Sequence, residues 1–195
     1  ATLFIVIDGR GIWSWIVRLF PRRARVAVNG AGDAGWLTLT TFVKVQIFVA
    51  FVDAVGIGIG AVILQLPLAI PIAIAVFLAS FIPVVGAVVT GILAVFVALV
   101  YHGPVIALIM LGVVLLVQQV EGHVLQPLVM GSAVRVHPLA VVFSVAAGSF
   151  VAGIPGALFA VPLVATLNVI VRYIAGGEWR VNPRPQVKDV VSTNE

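Results

Sequence analysis

Between Val45 and Val171 the only formal charges in this chain are Asp53, Glu121 and Arg135. A water-soluble fold must cover its outside with polar side chains, and an average soluble domain spends about a quarter of its residues on charge. Here 9% of residues are charged and 62% are hydrophobic. Apolar runs of this length, punctuated by Gly and Pro, fit helices that cross a lipid bilayer. The expected fold class is an all-α polytopic membrane protein, with transmembrane helices plus two short broken-helix hairpins. Its first partner is the bilayer itself.

The basic residues support that assignment and argue against nucleic acid as a partner. All but Arg135 of the eleven Lys and Arg residues lie in Arg10–Lys44 or Arg172–Lys188, flanking the apolar block. Charge placed there orients membrane spans or meets anionic lipid. The absence of cysteine excludes disulfides and thiolate metal sites.

Four regions follow in order. Residues 1–7, all apolar but Thr2, reach only about 10 Å as a helix and read as the tail of a truncated span. Residues 8–41 read as a basic amphipathic segment, interfacial or cytoplasmic. Within it Trp13, Ile16, Val17 and Phe20 recur at i, i+3, i+4 and i+7 beside Arg18, Arg22, Arg23 and Arg25. That stripe suits the headgroup region, and equally suits packing on the rest of the protein. Residues 42–174 form the transmembrane domain, and 175–195 a cytoplasmic tail.

Inside the transmembrane domain the first full span runs from about Phe42 to Leu66. Shorter segments follow at Leu68–Ile82, Val84–Tyr101 and Pro104–Val120, then a more polar stretch over Glu121–His137. Pro138–Ala152 and Ala157–Tyr173 close the domain. Fifteen helical residues cover only about 23 Å, less than a hydrocarbon core of roughly 30 Å.

Two of the short pairs resemble each other. Pro67-Leu68-Ala69 leads to Ile82-Pro83-Val84-Val85-Gly86, and Pro138-Leu139-Ala140 leads to Ile154-Pro155-Gly156-Ala157. Each break leaves backbone groups without helical partners, which lipid tolerates only where protein or a water-filled cavity satisfies them. Paired breaks of this kind point to a transporter's binding region, here Pro83, Gly86, Gly153, Pro155 and Gly156. One span between the pairs would make them an inverted repeat. With the arginine-rich segment cytoplasmic, counting crossings returns the basic C-terminal tail to the same side.

Ionisable residues at membrane depth are functional candidates by default. Asp53 is the clearest, against the plain alternative of a buried structural carboxyl. Gln118 and Glu121 share one helical face, while Gln119, His123 and Gln126 form a second stripe. Glu121 with His123 could bind a cation or relay a proton, or the group could be a helix end meeting water. No metal site is expected, because His102, His123 and His137 fall in different segments. No cofactor or enzymatic motif is found either. The stripe Gly56-x-Gly58-x-Gly60 allows close helix approach, within the chain or in a homo-oligomer.

Phe81-Ile82-Pro83-Val84-Val85-Gly86, the block Gln118-Gln119-Val120-Glu121-Gly122-His123-Val124-Leu125-Gln126-Pro127, and His137-Pro138-Leu139 resemble the autoinducer-2 exporter (AI-2E) family of bacterial membrane proteins. Gly153-Ile154-Pro155-Gly156-Ala157 and Ala160-Val161-Pro162 continue the resemblance in order. Lys44-Val45-Gln46 stands where members commonly carry Arg-Gly-Gln. The resemblance implies about eight hydrophobic segments, the first of them upstream of residue 1. It also implies a bacterial inner-membrane transporter that exports a small organic signal or exchanges Na⁺ or Li⁺ for protons. A passive channel and a non-transporting scaffold are the competing classes.

Overall fold

The computed structural model describes residues 11–22, 24–82, 85–123, 138–183 and 185. The expectations for residues 1–7, Pro83, Gln126 and most of the C-terminal tail lie outside them. Helix α1 covers residues 11–18, α2 Arg25–Ile63, α3 Ala69–Ala79, α4 Val85–His102, α5 Pro104–Val120 and α6 Pro138–Ala175. A 3₁₀ turn at Glu178–Arg180 follows, and no strand occurs among the described residues. Helices α2, α4, α5 with its extension to His123, and α6 are long and apolar enough to cross a bilayer. The protein is an all-α integral membrane protein. Its surface agrees, with Phe150 95% and Leu108 69% exposed where a soluble protein would bury them.

The chain forms two compact units, one drawn from Ala1–Thr40 and Leu163–Glu195, the other from Thr41–Pro162. In the second, α3 runs back antiparallel along α2. An added Cβ on Gly58 would touch Ala73, and five residues earlier on α2 Asp53 meets Ser80 at the end of α3. Helix α5 is antiparallel to α2 as well, since Gly60 faces Val113 and Gly56 faces Val117. Helix α4 packs on both α3 and α5. The core between them holds Ile57, Ala61, Ile72, Val76, Ala94 and Met110. All three glycines of the Gly56–Gly60 stripe are therefore used inside the chain.

Helix α3 has 11 residues, about 17 Å, and cannot span a hydrocarbon core alone. It descends beside α2 to the level of Asp53, turns through Ser80–Ile82, and the chain climbs again as α4. The turn is tight at Gly86, where a side chain would run into the Ala79 carbonyl.

Helix α6 is a second hairpin. Two helical arms meet at a kink where Ala152 (φ −134°, ψ 16°) and Gly153 (φ 62°, ψ −142°) are not helical. Positive φ suits Gly153 because it has no Cβ. The arms before and after this kink fold together. A Cβ on Gly148 would stand 3.0 Å from that of Ala160, twelve residues on, whereas a straight helix would separate them by about 18 Å. Gly148 and Gly156 each lie against the other's carbonyl, and Val145, Ala157, Ala160 and Val161 form the core of the hairpin. Phe42 and Ile82 pack against that core, so the first break touches the second hairpin.

In the other unit α2 begins at Arg25, well before the apolar run at Phe42. The reason is packing. Ala31 and Ala34 bury against Tyr173, while Gly30 and Gly35 leave room for Tyr173 and Ile170. The Tyr173 hydroxyl donates to the Asn182 carbonyl at 2.7 Å. The Trp13 ring of α1 fills the notch at Gly32, and its Nε1 donates to Asn29 Oδ1 at 3.2 Å.

Two alanine substitutions separate tight packing from helix propensity. Gly86→Ala drives a Cβ into backbone that cannot step aside and should cost about 1–3 kcal/mol. Gly112 has nothing within 4 Å, so Gly112→Ala should be neutral or stabilise by up to about 1 kcal/mol. Thermal unfolding in detergent, followed by intrinsic fluorescence, should lower the midpoint for the first variant and not for the second.

Candidate functional site

A buried polar cluster has assembled at the tip of the first hairpin. Gln46, Asp53 and Ser80 are all buried, with Asp53 3% exposed. Gln46 and Asp53 are seven residues apart on α2 and so share one face. Ser80 is the C-cap of α3, where the helix leaves backbone carbonyls without i+4 partners. Gln46 Nε2 supplies one partner, donating to the Ser80 carbonyl at 2.6 Å. The amide of Gln46 thus closes a helix end that no water reaches if the tip lies in lipid.

Asp53 is much less well served. The Ser80 hydroxyl donates to the Val76 carbonyl at 2.8 Å and reaches Asp53 Oδ2 only at 3.5 Å, the outer limit of a hydrogen bond. Asp53 Oδ1 is buried and has no hydrogen-bond partner among the described residues. A buried carboxylate normally gathers several donors, and leaving one short costs a few kcal/mol.

A second carboxylate lies close by. Gly60 faces Val113 and Gly56 faces Val117, so each step of one turn back on α2 is a step of one turn forward on α5. The next step pairs the turn at Asp53 with Glu121, which is half-buried and within coulombic range of Asp53. Glu121 caps α5, its N–H bonding back to the Val117 and Gln118 carbonyls. Residues 121–123 continue as a wider π turn, a local form frequent at functional positions.

The other sequence candidates divide. Gly86 stands at the hairpin tip and Gln118 is half-buried one turn before Glu121. Gln119 and His123 are exposed, and His123 Nδ1 lies 3.2 Å from the Gln119 carbonyl of its own helix. No hydrogen bond or ion pair joins His123 to Glu121 among the described residues. Gly153 and Pro155 mark the second kink but are exposed, and Gly156 is committed to its contact with Gly148. No group of three or more metal-ligating side chains occurs among the described residues. Sequence reasoning passed over two members of the cluster, Gln46 and Ser80. The signal for Gln46 was its spacing of seven from Asp53, and Ser80 stands just ahead of the proline break.

The sequence profile of AI-2E family transporters matches residues 1–176. The chain belongs to the AI-2E transporter family. A Mycobacterium tuberculosis relative, named as a candidate transport protein, is 47% identical over 190 residues, which is 97% of this chain and 51% of that protein. The Bacillus subtilis protein YueF, named in the same way, is 34% identical over 67% of this chain and 35% of its own length. The AI-2 transport protein TqsA of Escherichia coli is 31% identical over 52% of this chain and 30% of its own. The AI-2E chain described here thus spans about half, or less, of the curated relatives it matches. The matched region takes in Gln46, Asp53, Ser80 and Glu121 together.

The cluster makes opposite demands on two neighbouring positions. Gln46→Leu removes the donor from a buried carbonyl and should lower the unfolding midpoint of this AI-2E protein by a few degrees. Asp53→Asn removes a poorly solvated charge and should leave the midpoint unchanged or raise it. Differential scanning fluorimetry of the two variants beside the native protein checks both signs.

Proposed function

We propose that the protein is a secondary transporter whose coupling group is Asp53, working with Glu121 at the tip of the first hairpin. The observation that carries this is the under-bonded carboxylate, 3% exposed and with one oxygen lacking any donor among the described residues. A side chain in that state gains most from binding a proton or a monovalent cation, because either supplies what the protein does not. The free oxygen of Asp53, the Ser80 hydroxyl and Glu121 offer hard oxygen donors of the kind Na⁺ and Li⁺ accept.

The transported solute would bind beside this site, where the first break at Ile82 packs on the second hairpin. Each hairpin has a shorter arm followed by a longer one, which supports the reading of α3–α4 and α6 as two copies of an inverted repeat. The bacterial relatives and the basic flanks support a place in the inner membrane, with both flanks on the cytoplasmic side. The name of TqsA puts autoinducer-2 among the solutes to try first, beside exchange of Na⁺ or Li⁺ for protons. A passive channel would conduct without saturation, and a scaffold would move nothing.

The test uses the full-length protein in proteoliposomes with a pH-sensitive dye inside, challenged in turn with Na⁺, Li⁺ and labelled organic signal. A saturable proton flux triggered by one solute is expected. Asp53→Asn and Glu121→Gln together should lower it at least tenfold without lowering the amount of folded protein. Flux and pH dependence that survive the double substitution would remove both carboxylates from the mechanism.

A further inference from the structure

The most basic part of the chain is not used by the carboxylate site. From Gly11 to Gly32 the sequence carries Arg18, Arg22, Arg23 and Arg25 and no Asp or Glu. Helix α1 lies in this stretch, and it is apolar on two faces. Trp13, Ile16 and Val17, three of the four residues in the stripe that suited lipid and protein packing equally, are half-buried, with Trp13 seated on α2 at Gly32 and Asn29. That face belongs to the protein. The opposite face presents Ile12, Trp15 and Leu19 at i, i+3 and i+7, with Trp15 62% and Leu19 67% exposed.

The angle of α1 is braced rather than left to chance. Arg25 Nε donates to the Phe20 carbonyl at 3.0 Å and its Nη2 to the Arg18 carbonyl at 2.9 Å, tying the turn after α1 to the first residue of α2. Arg25 is thereby occupied with backbone, while the Arg18 and Arg22 side chains are exposed beside the apolar stripe.

We infer that the outer face of α1 is a docking surface for the anionic surface of the bilayer, with Trp15 and Leu19 entering below the headgroups and Arg18 and Arg22 meeting lipid phosphates. Charge decides the occupant. Docked face to face, a second copy of the chain would set Arg18 and Arg22 against their own counterparts, whereas an anionic leaflet complements them. Trp beside Arg on a short helix is also the composition of an interfacial segment, whose apolar side sits roughly 5–10 Å into the headgroup boundary.

The absence of cysteine gives a clean background for a spin label at Leu19→Cys, an exposed position that the fold does not need. The full-length protein is reconstituted into phosphatidylcholine vesicles with and without about 30% phosphatidylglycerol, whose headgroups supply the negative surface potential that attracts juxtamembrane arginines. Power-saturation spin resonance then compares access of oxygen with access of a water-soluble nickel chelate. With anionic lipid the label should be reached at least threefold better by oxygen. Arg18→Gln with Arg22→Gln should reduce that preference to the value in phosphatidylcholine alone. Three outcomes overturn the inference: a label open to the nickel chelate in both lipids, a label shielded from both reagents as at a protein contact, or a lipid-buried label indifferent to phosphatidylglycerol and to both arginines.

Discussion

Gln46 donating to the Ser80 carbonyl is the bond on which the second unit depends. In lipid a backbone carbonyl without a partner costs several kcal/mol, so a helix that stops short of the far side must have its end closed by protein. Helix α3 stops after 11 residues. Closing its end with an amide from α2 fixes the tip of the hairpin at one depth on that helix. Asp53, two turns further along the same face, is then brought to the same place. The glycine at 86 completes the turn by letting α4 start against the Ala79 carbonyl.

Packing elsewhere follows from the weakness of the hydrophobic effect between helices in lipid. Without water to escape from, helices associate through close dispersion contact, and small residues permit it. Gly56, Gly58 and Gly60 admit Val117, Ala73 and Val113, so α2 holds both α3 and α5 along one short stretch. The same logic brings Gly148 and Gly156 together in α6 and seats Tyr173 on Gly30. Those contacts set the antiparallel register that lines up Glu121 with Asp53. A stripe of glycine readable as an oligomer seam is thus consumed in aligning two carboxylates.

Much of this was legible in residues alone because lipid imposes few solutions. The apolar run with three charges announced membrane helices, and Pro104 with Gly103 marked the start of α5 at its observed first residue. Asp53 stood out because a charge in such a run is expensive. Gln46 and Ser80 did not, since neutral polar side chains enter membrane helices at modest cost and their partners lie 34 and 27 residues away. The early start of α2 escaped for a related reason. Asn29, Asp33 and the glycines at 30, 32 and 35 look like a loop, and only the aromatic and aliphatic side chains of Trp13, Ile170 and Tyr173 packed against them make the helix worth forming. The stripe on α1 was visible, but which of its two apolar faces turned inward was decided by the notch at Gly32, a feature of the partner helix.

Asp53 gains little from its surroundings. Its one hydrogen-bond contact among the described residues, at 3.5 Å, competes with a 2.8 Å bond that Ser80 already makes to Val76. Fold stability alone would favour Asn or Leu there, because replacing a poorly paired buried charge with a neutral group of similar size is often stabilising. Glu121 sharpens the point, since two carboxylates brought near each other in a medium of low polarity repel. In the proposed mechanism a proton or a small cation taken up at Asp53 would relieve both the repulsion and the missing donor. With no cation bound, the tip would keep the hydrogen bond from Gln46 and the packing of Ile82 on the second hairpin but lose the tie between the carboxylates. Occupancy of the carboxylates and position of the tip would then be linked, which is what coupling an ion to the movement of a solute requires.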